Sequence, residues 1–158
     1  MSLTGPLTVS IDGHLVPVTL PPREALETLR QAVCALPISG YERQAMRRLL
    51  DSSGADLEYR MNGDETTDWP VSLDDGTLAI VRVSYGDRLT CRQRVAARYD
   101  PRRAERRGGR PEEWVVWDLE RDVAAAQRLG SESAAREWIR RQVQLANYQS
   151  GPASEAAR

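Results

Sequence analysis

Arg88, Arg92, Arg94 and Arg98 open the densest cationic stretch of the chain, in which nine of its 22 arginines fall between Arg88 and Arg110. Arginine stays charged at physiological pH, is weakly hydrated, and forks onto carboxylate or phosphate through two parallel N–H donors. Residues two apart on a strand point to one side of a sheet, so a strand here sets these four guanidinium groups on one face. The chemistry such a row supports is anion docking.

Charge is spread unevenly around that stretch. Residues 82–110 hold ten arginines against Asp87, Asp100 and Glu105, a balance of +7. Residues 51–75 hold Asp51, Asp56, Glu58, Asp64, Glu65, Asp68, Asp74 and Asp75 against Arg60 alone, a balance of −7. The whole chain carries a formal net charge of −1, which excludes a globally basic nucleic-acid binder. It points to two oppositely charged surfaces or to one self-complementary pair. Every basic residue is arginine, and GC-rich codon usage is the plain explanation of a lysine-free chain.

Catalytic and metal chemistry have little to stand on. His14, the single histidine, follows a hairpin turn, where imidazole usually faces solvent. Cys34 and Cys91 share no CxxC spacing and read as buried thiols, which are poor nucleophiles because desolvation disfavours the thiolate. No GxSxG, GxxxxGK[ST] or HExxH pattern occurs. Asp64, Glu65 and Asp68 lie close together, but without the spacing of an EF-hand loop they read as a solvated acidic loop. No cofactor, metal site or catalytic residue is expected.

The elements that position the arginines follow from periodicity. Leu7–Ile11 and residues 14–20 alternate around Asp12-Gly13, a hairpin with a tight primed turn. Pro21-Pro22 starts a helix over 23–36, with Leu26, Leu29, Val33 and Leu36 on one face, and Pro37 ends it. Ser39 and Glu42 form a capping box for a second helix with Ala45, Met46, Leu49 and Leu50 as its stripe. Leu57, Tyr59 and Met61 alternate as a short strand, and 64–76 is an acidic, turn-rich loop. Residues 77–99 read as a central hairpin. A three-residue loop at 85–87 keeps Val81, Val83, Leu89 and Cys91 on a core face and gathers Arg82, Arg88, Arg92 and Arg94 on the other. Arg102, Arg103, Arg106, Arg107 and Arg110 then crowd a mobile loop with Gly108-Gly109. Residues 113–120 read as a strand, in which Trp114 and Trp117 point to opposite sides. Residues 123–129 form a weaker strand, or a helix by their alanine content, and Gly130-Ser131 caps a helix striped by Ala135, Trp138, Ile139 and Val143.

Residues 7–85 resemble a β-grasp (ubiquitin-like) arrangement: hairpin, helix, then later strands ending in Thr77-Leu78-Ala79-Ile80-Val81-Arg82-Val83. The likeness is one of topology and covers half the chain. The added helix at 39–51 departs from it, and Gly86 is internal, so no conjugated tag is implied.

The expected protein is α+β, with a mixed or mainly antiparallel sheet and helices packed on one face. Residues 1–99 form an N-terminal region, 100–111 the arginine-rich loop, 112–149 a strand–strand–helix unit sharing the same core, and 150–158 a disordered tail. No run of 18 apolar residues occurs, so no membrane span is expected, and the two cysteines fit a cytoplasmic setting. The expected role is non-enzymatic and regulatory, of the kind served by phage or mobile-element accessory factors. An acidic protein partner would dock on Arg82, Arg88, Arg92, Arg94, Arg98, Arg102, Arg103, Arg106, Arg107 and Arg110. The alternative is sequence-nonspecific nucleic-acid binding by the same arginines.

Overall fold

The first hairpin turns where a residue is free to take positive φ. β1 (Leu7–Ile11) and β2 (Leu15–Leu20) pair antiparallel, with Val9 opposite Val18 and Leu7 opposite Leu20. Gly13 sits at φ 71°, and the His14 N–H closes onto the Ile11 carbonyl at 3.0 Å. The loop is thus one residue longer than the expected primed turn. This computed structural model describes residues 3, 5–51, 54–61, 66–104 and 113–149. The chain divides into two units, Met1–Leu89 and Thr90–Arg158. The protein is α+β, and the described residues form two antiparallel sheets and five helices.

In the first unit, Pro22 opens α1 (Pro22–Cys34), whose Ala25, Leu26, Leu29 and Val33 are buried as the helical spacing predicts. Ser39 caps α2 (Gly40–Leu49), its hydroxyl accepting the Glu42 N–H at 3.2 Å. The Glu42 carboxylate turns away from its own helix and accepts the Ser72 N–H at 3.3 Å. The expected strand at 57–61 is instead α3 (Ala55–Arg60). Leu57 and Met61 lie four apart and are both buried, whereas Tyr59 between them is 81% exposed. That is the burial of a helix face, since a strand would hide all three together. Gly54 starts the helix at φ 65°.

The expected acidic loop is corrected over most of its length: residues 66–72 form β3 (Thr66–Ser72), paired antiparallel with β4 (Leu78–Tyr85). Trp69-Pro70 signalled a turn, but β3 is a sheet edge, where proline's missing N–H costs no ladder bond. Asp64 and Glu65 lie outside the described residues. The sheet order is β2-β1-β4-β3. The hairpin, the following helix and a late central strand come in the expected order. β4 runs antiparallel to β1, however, whereas a β-grasp pairs its first and last strands parallel, so the resemblance does not extend to the sheet. One face carries Val9, Ile11, Val81 and Val83 against the apolar residues of α1, α2 and α3. The other carries Thr8, Ser10, Arg82 and Ser84, all buried.

The second half of the central hairpin is a helix, not a strand. Gly86 ends β4 at φ 58°, its N–H bonding the Pro6 carbonyl at 2.8 Å, and α4 (Cys91–Arg98) begins after Thr90. Thr90 Oγ1 accepts the Gln93 N–H at 3.2 Å, and Gln93 Oε1 accepts the Thr90 N–H at 2.9 Å. This reciprocal capping box decides the segment against the alternation of Leu89, Cys91 and Val95. β5 (Tyr99–Arg103), β6 (Trp114–Asp118) and β7 (Val123–Leu129) follow in spatial order β5-β6-β7. The start of the expected mobile loop is therefore β5. α5 (Glu132–Gln149) ends the described chain, with the Ser131 hydroxyl accepting the Ala134 N–H at 3.1 Å. Trp138 of α5 meets Tyr99 edge-on at 5.1 Å, so α5 covers the sheet face that also holds Val116. Strand–strand–helix over β6, β7 and α5 is as expected, with α4 and β5 added in front. The tail at 150–158 lies outside the described residues.

Truncating Leu57 to alanine should destabilise the protein by about 3 kcal/mol, as a filled core site does. Tyr59→Ala should change it by less than about 0.5 kcal/mol. Urea unfolding followed by circular dichroism measures both, and equal losses would restore the strand.

Candidate binding surface

The arginines expected to share one face are divided among five settings. Arg82 lies on β4 between Ser10 of β1 and Asp68 of β3 and is only 7% exposed. Its Nε donates to Asp68 Oδ2 at 3.2 Å, and its two terminal nitrogens fork onto Asp12, with Nη2 to Oδ2 at 3.2 Å. Burial pushes the Asp12 carboxyl above its ordinary range, outweighing the opposing pull of Arg82. Arg82 is thus a buried tie between the first turn, the edge strand and the sheet centre. Arg88 is exposed beyond β4.

On α4 the arginines point around the helix. Arg92 and Arg94 are about 200° apart, so they share no face. Arg98 donates through Nε to Asp118 Oδ1 at 2.9 Å and through Nη2 to Oδ2 at 2.6 Å, with Glu120 at 3.4 Å from Nε. Asp118, 3% exposed, also accepts the N–H groups of Glu120 at 3.0 Å and Arg121 at 3.2 Å. One carboxylate thus closes the β6–β7 turn and fastens it to the end of α4. The bond to Arg98 holds Asp118 below the ordinary carboxylate range, against the effect of burial, and raises the Arg98 guanidinium in turn. Cys34 and Cys91 are both free and exposed, which corrects the expectation of buried thiols. The alternation that placed Cys91 inward does not exist, because Cys91 is the first residue of a helix.

β5 and β6 pair without irregularity, so their two faces can be read directly. Tyr99, Pro101 and Arg103 face α5 with Trp114, Val116 and Asp118; Asp100 and Arg102 face the other way with Val115 and Trp117. No helix of this unit packs on that second face among the described residues. There the Arg102 guanidinium lies over the Trp117 ring at 5.1 Å, its Nε donating to Asp100 Oδ2 at 2.7 Å. Trp117 Nε1 donates to Asp122 Oδ1 at 3.0 Å, and Ala124 of β7 lies beside the ring across the ladder. Arg103 lies 6.0 Å from the Trp114 ring centroid at the rim of the opposite face. Arg106, Arg107 and Arg110 lie outside the described residues, between Ala104 and Glu113, whose backbones bond at 2.8 Å.

The opposed faces of Trp114 and Trp117 are as the strand spacing predicts. Asp100 and Asp122, which frame Trp117, were not singled out by sequence; Asp100 lies directly opposite Trp117 on β5, a register visible only once β5 exists. Charge divides with the units: the first has eight arginines against 13 acids, and the second 14 against ten, giving −5 and +4. No described helix is long and apolar enough to cross a membrane. No protein-family model, curated protein or solved structure matches the chain.

Two predictions follow from the paired arginines. Arg82→Ala should cost about 3 kcal/mol, because it leaves two carboxylates facing a buried strand. A change under about 0.5 kcal/mol in urea unfolding would mark Arg82 as a surface residue after all. Asp118 holds its charged form more strongly when folded than when unfolded, so its contribution is present above its ordinary pKa of 3.8 and lost as pH falls below it. Stability measured from about pH 6 downward should therefore fall on the acid limb, and Asp118→Asn should flatten that limb while lowering neutral-pH stability.

Proposed function

We propose that this chain is a small, non-enzymatic, cytoplasmic binding protein of regulatory type, which docks an acidic segment of a protein partner on the open face of its C-terminal sheet. The observation that carries this reading is the Arg102 guanidinium over the Trp117 ring where no helix of that unit covers them among the described residues. The Trp117 ring holds the guanidinium over its face and Asp100 engages Nε, which leaves the terminal nitrogens to meet a carboxylate. Val115 and Ala124 supply the adjoining apolar surface. Arginine and tryptophan are the residue types most enriched where binding energy concentrates. The +4 balance of the unit steers an acidic partner toward it. The same balance favours a second reading, docking of a nucleic-acid backbone. Asp100 and Asp122 on that face weigh against it, since they repel phosphate.

The test is binding of a labelled oligoglutamate peptide and of a mixed-sequence duplex at about 50 and 200 mM salt. The peptide should bind, and Arg102→Glu should weaken it by about tenfold or more. Arg47→Glu, on the exposed side of α2, should leave it unchanged. Salt-sensitive binding of the duplex alone would put the nucleic-acid reading first. Binding of neither at low salt removes the docking face.

A further inference from the structure

β7 differs from the other edge strands of the two sheets. β2 carries Pro17, β3 carries Pro70 and β5 carries Pro101, each of which removes a ladder donor; β7 contains no proline. Its centre is Ala124-Ala125-Ala126, small enough for another backbone to approach, and Val123, Ala125 and Gln127 are exposed. Asp122 and Arg128, at φ 55° and 57°, are the two positive-φ residues other than glycine among the described residues. They are exposed, oppositely charged and equidistant from Ala125. Asp122 takes this conformation to close the turn, its N–H on the Asp118 carbonyl at 2.7 Å, and Arg128 takes it in the bulge opposite Trp114 and Val116, so the fold holds both charges at the ends of the edge. The β6–β7 ladder also shifts register twice, which bulges and twists β7. A flat foreign strand matches such an edge poorly, whereas a second copy brings the same irregularities to symmetric positions.

We propose that β7 is a self-pairing edge: two copies of the chain join antiparallel about a two-fold axis through Ala125. This register sets Asp122 of each copy against Arg128 of the other, Val123 against Gln127, and Ala125 against itself. The interface is isologous, so it closes at two copies and unites the two three-stranded sheets. It lies along the sheet edge and shares with the docking face one residue, Asp122, whose carboxylate also accepts the Trp117 Nε1–H.

The test uses the full chain with Cys34 and Cys91 changed to serine. Directly opposed residues of an antiparallel pair lie about 4.5–5.5 Å apart at Cα, within disulfide range. Ala125→Cys should therefore form a covalent dimer on mild oxidation, while Gln127→Cys alone should not, and Gln127→Cys mixed with Val123→Cys should. In sedimentation of the native chain, Arg128→Asp should raise the concentration of half-dimerisation by about tenfold or more, because it sets one carboxylate against another at each end. Aspartate takes positive φ at least as readily as arginine, so the thermal midpoint of the dilute, unassociated chain should hold. The double swap Asp122→Arg with Arg128→Asp should restore association. A monomer at every concentration, or cross-linking through Gln127→Cys as readily as through Ala125→Cys, overturns the proposal.

Discussion

A charge taken out of water must find its opposite, and that constraint orders both units. Arg82 and Asp118 are each nearly enclosed, and an unpaired ion so placed would cost several kcal/mol. Each therefore collects partners from more than one element and adds an ionic tie to the backbone bonds already there. Arg82 draws in the Asp12 turn and Asp68 of the edge strand. Asp118 draws in the last residue of α4 and the backbone of the β6–β7 turn. The same forked geometry that makes arginine an anion receptor thus serves the fold first. Between the oppositely charged stretches 51–75 and 82–110, the described ion pair of Asp68 with Arg82 is internal, spent on the sheet itself.

How much of this was legible depends on whether one signal stood alone. The first hairpin, α1, α2 and the β6–β7–α5 series each had a period confirmed by punctuation: Asp-Gly, Pro-Pro, Ser39 before Glu42, Gly-Ser. Where periods conflicted, the reading failed. Leu57 and Met61 are four apart, a spacing that fits a strand face and a helix face equally, and only the exposure of Tyr59 separates them. Leu89, Cys91 and Val95 alternate well enough for a strand, yet Thr90-x-x-Gln93 offered a helix start in the same residues. Two satisfied backbone donors outweighed the alternation, because the start of a helix leaves its first N–H groups without partners.

The candidate surface shows the same dependence. Trp117 could be assigned a side of its strand from spacing alone, and Arg102 could be marked by its charge. Their meeting could not, since it requires β5 to pair with β6 in a particular register across residues 104–113. Losing the helix at 91–98 to a false strand carried the arginine row with it. Once Arg92, Arg94 and Arg98 are placed around a helix, the row has no common face, and a single stacked arginine on a sheet replaces it.

That replacement changes the character of the binding it supports. A row of unpaired arginines would hold anions by accumulated charge, strongly and with little discrimination. Arg102 is instead held in place by an aromatic face and a carboxylate of its own chain, and Trp117 is held by Asp122. An incoming carboxylate must compete with Asp100 for the guanidinium, so part of its attraction is offset before any contact is gained. What survives the offset is geometry: a guanidinium held over a ring and by its Nε, with an apolar strip beside it. Such a surface favours a ligand that brings apolar contact together with negative charge, and it disfavours a bare polyanion.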